Sequence, residues 1–185
     1  MVKKNSCVFI SGAGTNLKAL ILNSRQYNFP INIKLVVSNK KNAKGLKYAK
    51  KYSIPFKILK TKDPFFEKKI LNEIKKRKIT FICLAGYMRI LSKNFINSFK
   101  GKIINIHPSL LPKYKGMNTF KRILKNKEKL SGCTVHYVNN KLDSGKIINR
   151  KIFEVKNDDT IETLKVKTQR LEYRAFSEAI IKINF

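Results

Sequence analysis

The sequence predicts an α/β protein: a Rossmann-like, mostly parallel twisted sheet with helices on both faces and an antiparallel pair of strands near the C-terminus. Three observations lead there. From residue 6 to residue 107, short apolar runs of β type alternate with helix-periodic segments, the rhythm of a parallel, doubly wound sheet. Beyond residue 107 the rhythm changes to two strand patterns, 133–138 and 147–155, joined only by the turn-rich stretch 139–145. So short a connection joins antiparallel partners, not parallel ones. Finally, 185 residues with 43% hydrophobic content suit one domain with a real core and fall short of two. No internal repeat, linker or low-complexity tail divides residues 1–185, so a single domain is expected.

Residues 7–11 read as the first strand, because Cys7 to Ile10 are apolar. Gly12-Ala13-Gly14-Thr15-Asn16 breaks that strand, and an apolar-periodic helix follows from Leu17 to about Leu22. Residues 33–38 form a second strand, and 42 to about 52 a lysine-rich helix with Ala43, Leu46 and Ala49 at helical spacing. Residues 54–59 are a short third strand. Asp63-Pro64 pairs a capping residue with a proline at the first helical position and opens a helix through Phe66, Ile70 and Ile74. Residues 80–85 stay apolar up to Gly86, as a strand buried on both faces should. Ser92 caps a short helix, and 102–107 is a β-branched strand stopped by Pro108, which cannot donate a ladder hydrogen bond. After the antiparallel pair, a last helix runs from about Thr160, capped by Asp159 or Thr160, to about Ile181. Its expected buried stripe is Leu164, Leu171, Ala175, Ala179 and Ile180.

The charge is far from ordinary: 41 Lys+Arg against 11 Asp+Glu give +30. A basic surface of this size can serve nucleic acid. Here the excess is overwhelmingly lysine, spread through every segment and accompanied by abundant Ile and Asn, residues with A/T-rich codons, so base composition accounts for it better. On either account small anionic substrates are drawn in. Cys7, Cys83 and Cys133 stand far apart in apolar runs, an odd number without pairing or metal-ligand spacing. They are expected to be free buried thiols in a reducing cytoplasm. The apolar run after Lys3 and Lys4 is too short for a signal segment, and no stretch approaches the roughly 20 apolar residues of a membrane span.

Ligands of open α/β sheets bind beyond the carboxyl ends of the strands. That rule directs attention to 12–16, 86–91, 105–107 and the 139–145 turn. In the first, Gly12 and Gly14 lead into a helix whose amides and dipole favour a phosphate, with Thr15 and Asn16 adding polar groups. It is neither a dinucleotide fingerprint nor a Walker loop, since Leu17 stands where the former needs glycine, and a plain strand-to-helix turn fits equally well. Asn105 and His107 lie two apart on a strand and so project from one side. His107 and His136 are the only histidines, hence the unperturbed groups that titrate near neutrality. His136 shares a face with Thr134 and reads either as a hydrogen-bonded structural residue or as a supporting member of the site. Asp143, before Ser144-Gly145, is either a turn residue bonding its own backbone or a carboxylate that orients His107 and raises its pKa. Neither metal-ligand spacing nor a nucleophile elbow is present. An amide, an imidazole and a carboxylate without nucleophile or metal suit acyl-type transfer by direct attack of a substrate amine. Asn105 would then face the oxyanion, His107 would polarise it and shuttle a proton, and Asp143 would hold His107 charged.

The stretches Ile-Ser-Gly-Ala-Gly-Thr-Asn-Leu at 10–17, Leu-Ala-Gly-Tyr-Met-Arg-Ile-Leu at 84–91, Asn-Ile-His-Pro-Ser-Leu-Leu-Pro-Lys-Tyr-Lys-Gly at 105–116, Gly-Cys-Thr-Val-His at 132–136 and Leu-Asp-Ser-Gly at 142–145 resemble the phosphoribosylglycinamide formyltransferases. The resemblance covers essentially the whole chain. It implies the formyltransferase fold and transfer of a formyl group, without a metal, from 10-formyltetrahydrofolate to the amine of glycinamide ribonucleotide in purine synthesis. It implies Asn105, His107 and Asp143 as the catalytic trio. Gly14, Thr15 and Asn16 would hold the ribonucleotide, mainly its phosphate, with Gly12 in support and Glu172 at the sugar. Met88, Arg89, Ile90 and Leu91, with Asn105 and the 139–143 loop (Asn139, Asn140, Lys141, Leu142), would enclose the folate, largely through backbone groups. Residues 1–107 would be the phosphate-binding half and 108–185 the half with folate-site loops, antiparallel strands and final helix. The expected state is a monomer or weak homodimer in the cytoplasm, with small-molecule partners and neither membrane nor nucleic acid.

Some positions depart from that family's pattern. Phe120 stands where a histidine is common, so a polar contact there is lost or supplied elsewhere. Asn139, Asn140 and Lys141 replace a usually acidic stretch, which bears on side-chain contacts to the folate but spares backbone ones. Around Asp63-Pro64 no arginine is offered, and Lys60 or Lys62 would have to serve near the folate tail. The runner-up within the superfamily is a methionyl-tRNA formyltransferase, which normally carries a different first loop and a C-terminal tRNA-contacting domain. The deformylating hydrolase would add an N-terminal regulatory domain. From another class, a basic nucleic-acid module would bind oligonucleotides with a steep salt dependence.

Overall fold

A computed structural model describes residues 2–59 and 65–183, and the chain forms two compact units that divide between Asn105 and Ile106. The first carries β1 (Lys4–Ile10), α1 (Thr15–Ser24), β2 (Ile31–Ser38), α2 (Leu46–Lys51), β3 (Phe56–Ile58), α3 (Phe66–Lys76), β4 (Phe81–Leu84), α4 (Lys93–Ser98) and the start of β5 (Lys102–His107). Its strands lie in the order β3-β2-β1-β4-β5, all parallel, with Val8 of β1 opposite both Val36 and Cys83. Strands at the centre of a parallel sheet are covered on both faces. Accordingly Cys7, Val8, Phe9 and Ile10 are at most 1% exposed, and all four residues of β4 are buried.

Differences from the expected bounds have local causes. β1 starts at Lys4, three residues early, because Lys4, Asn5 and Ser6 join the ladder opposite Ile31, Asn32 and Ile33, and backbone pairing needs no apolar side chain. α2 starts at Leu46, four residues late. Before it the chain is turned so that the Gly45 N–H can donate to the Gly12 carbonyl at 2.9 Å. Gly14, at φ 71°, and Gly45 touch backbone to backbone, so that a Cβ on Gly14 would lie 2.4 Å from the Gly45 Cα. β3 is short because Pro55, its predecessor, can only accept, which it does from Val36 N–H at 2.9 Å. The cap expected at Asp63-Pro64 lies outside the described residues. α3 buries Phe66, Ile70 and Ile74 as its periodicity requires, and Ser92 caps α4 by accepting from the Phe95 N–H at 3.0 Å.

The second unit carries the end of β5, then α5 (Thr119–Lys125), β6 (Leu130–Tyr137), β7 (Ile147–Glu154) and α6 (Ile161–Lys182). β6 and β7 pair antiparallel, Leu130 opposite Glu154 and Thr134 opposite Arg150. The hairpin closes tightly at its root: a Cβ on Gly145 would sit 1.7 Å from the Tyr137 carbonyl oxygen, a spacing only glycine allows. α6 buries Leu164, Ala175, Ala179 and Ile180, with Thr168 and Phe176 completing the stripe. Leu171, expected there, is only partly covered. Asn149 of β7 binds the helix by donating to the Ala175 carbonyl at 3.1 Å and accepting from Lys182 Nζ at 3.0 Å. All three cysteines are free and buried, and burial pushes the Cys133 thiol up to about 12. Among the described residues no helix is long and apolar enough to cross a membrane.

Thr160, not Asp159, caps α6, in a reciprocal box with Thr163. Asp159 instead accepts from the Lys156 N–H at 2.8 Å, Thr163 Oγ1 at 2.7 Å and Lys167 Nζ at 2.6 Å. Burial raises its pKa, but these partners outweigh burial and take it from 3.8 to about 2. A depressed carboxyl stabilises the fold fully above its unfolded pKa and loses that contribution as the pH falls through its folded one. Asp159→Asn is therefore expected to lower the melting temperature at neutral pH, with the gap to wild type closing between pH 3.8 and about 2, read by circular dichroism melts across pH.

Candidate active site

In the first unit, the parallel strands bring the loops that follow β1, β2 and β4 to one edge of the sheet, the edge at which β5 presents Asn105. The turn 12–14 enters α1 with Gly14 in the left-handed region, and Gly14 has no side chain with which to cap the helix. Thr15 and Asn16 open the first turn, and Asn16 is 6% exposed. An uncapped helix start of this kind is suited to an anion. The loop after β4 is irregular. Met88 and Ile90 are 71% and 72% exposed, whereas Leu91 is 5% exposed and belongs to the core. Arg89 lies over the Phe66 ring, 4.1 Å from its centroid. Of the four expected folate residues in this loop, then, Met88 and Ile90 alone present bare side chains, and Leu91 can offer only its backbone. Asn105 pairs with Leu84 at the end of β4.

In the second unit, Asp143 is the node. Its side chain is 8% exposed, and its backbone takes the left-handed conformation at φ 45° that asparagine and aspartate tolerate. Oδ2 accepts the Gly116 N–H at 2.9 Å and lies 3.3 Å from His107 Nδ1. Oδ1 lies 3.6 Å from His136 Nε2. Burial pushes the Asp143 pKa up. The nearby His136, the Gly116 amide and His107 outweigh it and hold the carboxyl below its usual range. Asp143 sits in the turn with a left-handed backbone, but its carboxylate meets the distant Gly116 amide and the two histidines, as the partner reading expects. His136, 2% exposed, bonds the Tyr137 carbonyl through Nδ1 at 2.8 Å, so a structural bond and contact with Asp143 coexist.

His107 is 6% exposed and engaged at both ring nitrogens, since its Nε2 meets the Tyr114 carbonyl at 2.8 Å. A carbonyl only accepts, so Nε2 carries the proton and donates it, leaving the Nδ1 lone pair toward Asp143 in the neutral ring. The expectation that Asp143 raises the His107 pKa overall is not met. Burial lowers it, the Tyr114 carbonyl and Asp143 pull upward without prevailing, and His136 and Arg122 add to the lowering. Burial thus works against the imidazolium at a ring whose Nδ1 faces the Asp143 carboxylate.

The loop that supplies Tyr114 and Gly116 is fastened from several sides. Thr134 Oγ1 donates to the Ser109 carbonyl at 2.7 Å and accepts the Leu111 N–H at 3.1 Å. Tyr114 donates its hydroxyl to Glu128 at 2.7 Å, and Arg122 stacks on its ring while donating to the Lys115 carbonyl at 2.7 Å. The face shared by Thr134 and His136 was readable in the strand alternation. Tyr114 and Gly116 were not, because they act through backbone groups that no side-chain identity announces. Phe120, partly exposed, sits in the first turn of α5. In the 139–142 turn, Asn139 Oδ1 accepts the Lys141 N–H at 2.9 Å, Asn140 and Lys141 are exposed, and Leu142 is 54% exposed. Glu172, on α6, is half-buried and near enough to Cys133 to raise that thiol's pKa. No cluster of metal-ligating side chains occurs among the described residues.

A parallel sheet with an antiparallel pair, bearing a buried imidazole–carboxylate pair, is the frame of a recognisable class. The family described as Formyl transferase matches residues 4–180, and the chain belongs to it. Within that class, the chain is 34% identical over 181 residues to the phosphoribosylglycinamide formyltransferase of Bacillus subtilis (strain 168), covering 96% of this chain and 93% of that one. It is 42% identical over 184 residues to the trifunctional purine biosynthetic protein adenosine-3 of Chironomus tentans, of whose length it spans 13%. The crystal structure of phosphoribosylglycinamide formyltransferase from Brucella melitensis superimposes with a TM-score of 0.91 at 40% identity, over 97% of this chain and 95% of that one. The expected α/β architecture is borne out.

Because the folded His107 binds its proton less readily than the unfolded one, unfolding free energy should rise with pH from the depressed folded pKa up to 6.5. Nitrogen-15 NMR of the ring is expected to show the Nε2–H tautomer at neutral pH and titration below 6.5. Asp143→Asn, which removes an upward pull and leaves the burial, is expected to shift that titration lower still.

Proposed function

We propose that the chain transfers the formyl group of 10-formyltetrahydrofolate to the amine of glycinamide ribonucleotide. The carrying observation is the contact between His107 and the buried Asp143 carboxylate, in a chain that matches formyl transferases from residue 4 to residue 180. An imidazole backed in this way moves a proton without itself becoming a nucleophile.

In the proposed reaction the amine nitrogen adds to the formyl carbon, the bond to the folate nitrogen breaks, and one proton passes from the amine to that nitrogen. Asn105, at the carboxyl end of β5, donates its amide to the oxygen that becomes negative in between. His107 takes up the amine's proton, is held as imidazolium by Asp143 in between, and passes it on to the folate nitrogen, ending in its starting state. His136 and the Gly116 amide keep Asp143 ionised and oriented for this.

Gly14, Thr15 and Asn16, supported by Gly12, receive the phosphate through the start of α1, and Glu172 serves the sugar. The folate is met by Met88, Arg89, Ile90 and Leu91 and by residues 139–142. Backbone contacts dominate in the first of these segments, since Leu91 is buried and Arg89 is occupied by Phe66.

An absorbance assay for tetrahydrofolate release is expected to show turnover that requires glycinamide ribonucleotide. Formyl loss that ignores the ribonucleotide and yields free formate would overturn the reading. Asp143→Asn is expected to keep the fold and lower turnover by orders of magnitude, and near-normal turnover in a folded variant would remove Asp143 from the mechanism.

A further inference from the structure

Ser11 follows β1 at once, is 4% exposed, and touches two other loops. Its hydroxyl donates to Asn39 Oδ1 at 2.6 Å and accepts the backbone N–H of Met88 at 2.7 Å. Asn39 follows β2 and Met88 lies in the loop after β4. Because β2, β1 and β4 are adjacent and parallel, the hydroxyl stands on the middle strand and joins the loops on either side. The next residue, Gly12, accepts the Gly45 N–H at 2.9 Å, and Gly14 packs directly on Gly45. The turn 12–16 therefore cannot shift as a body without drawing Met88 along or breaking these part-buried bonds, whose inner end is the buried Ser11 hydroxyl. The loop after β4 depends on few such anchors: Met88 and Ile90 are mostly exposed, and the Ser92 N–H is taken by Glu67 at 3.0 Å.

We propose that Ser11 is a positioning residue that couples the two substrate loops. By holding the Met88 amide to the foot of the 12–16 turn, it makes occupancy of that turn favour the folate-holding arrangement of residues 88–91, and the reverse. This rests on the assignment of the ribonucleotide to the first loop and the folate to the second. Coupling of this kind is reciprocal in free energy and commonly amounts to about 5- to 150-fold in affinity.

The test is calorimetric, with 5,8-dideazafolate, a folate analogue that has no formyl group to give, titrated with and without saturating glycinamide ribonucleotide. In the wild type the ribonucleotide is expected to tighten the analogue at least about fivefold. In Ser11→Ala that ratio should fall to near one, while affinity for the ribonucleotide alone stays within about threefold of wild type. Ser11→Thr, which keeps the hydroxyl, should restore the ratio. Asn39→Ala, which takes the hydroxyl's acceptor away, should lower it and carries the test if Ser11→Ala fails to fold. A ratio of one in the wild type, or an unchanged ratio in folded Ser11→Ala, would overturn the proposal and leave the transferase reading intact. A wild-type protein that binds no ribonucleotide would overturn both.

Discussion

A carboxylate withdrawn from water costs several kcal/mol unless charge and hydrogen bonds meet it on every side, and much of the second unit is arranged to meet Asp143. The hairpin turn between β6 and β7 places it, with a left-handed backbone at Asp143 and close packing at Gly145. The Gly116 amide and two imidazoles surround its oxygens. The loop carrying Gly116 is held by Thr134, Glu128 and Arg122. Loss of any one of these attachments loosens the next, because each positions a group that the carboxylate needs.

The same arrangement pulls His107 two ways. Its burial disfavours the imidazolium, while the Tyr114 carbonyl and the Asp143 carboxylate both favour it. Opposed influences of this sort leave a group whose charge is decided by small changes nearby. A negative charge developing nearby would be such a change. The pair therefore suits a step in which a proton is taken and returned, and is less suited to a permanent positive charge.

Particular residues show how far the sequence could be read. The period of two along 102–107 and 133–138 placed Asn105 with His107 and Thr134 with His136, since strand alternation is a property of the backbone alone. The periodicity of α3 located Phe66, Ile70 and Ile74 in the core. Leu171 was misplaced because α6 packs its stripe through Thr168 and Phe176, and which side of a long helix is covered depends on its neighbours. The start of α2 was missed because a glycine contact, Gly45 on Gly14, ends the turn where helix periodicity would have carried on.

The sequence by itself determined the alternation of strands and helices, the antiparallel ending, the short list of groups able to move a proton, and the motifs that place the chain among formyl transferases. These follow from side-chain identity and local period, which are written into the order of residues. The tertiary structure decided which partner each group has: that Asp143 serves two histidines, that a backbone carbonyl fixes the His107 proton on Nε2, and that burial prevails over the carboxylate in setting its pKa. It also decided that one buried hydroxyl, Ser11, joins the loops of two different strands. Those outcomes depend on desolvation and on backbone groups from distant segments, quantities that exist only once the chain has closed on itself.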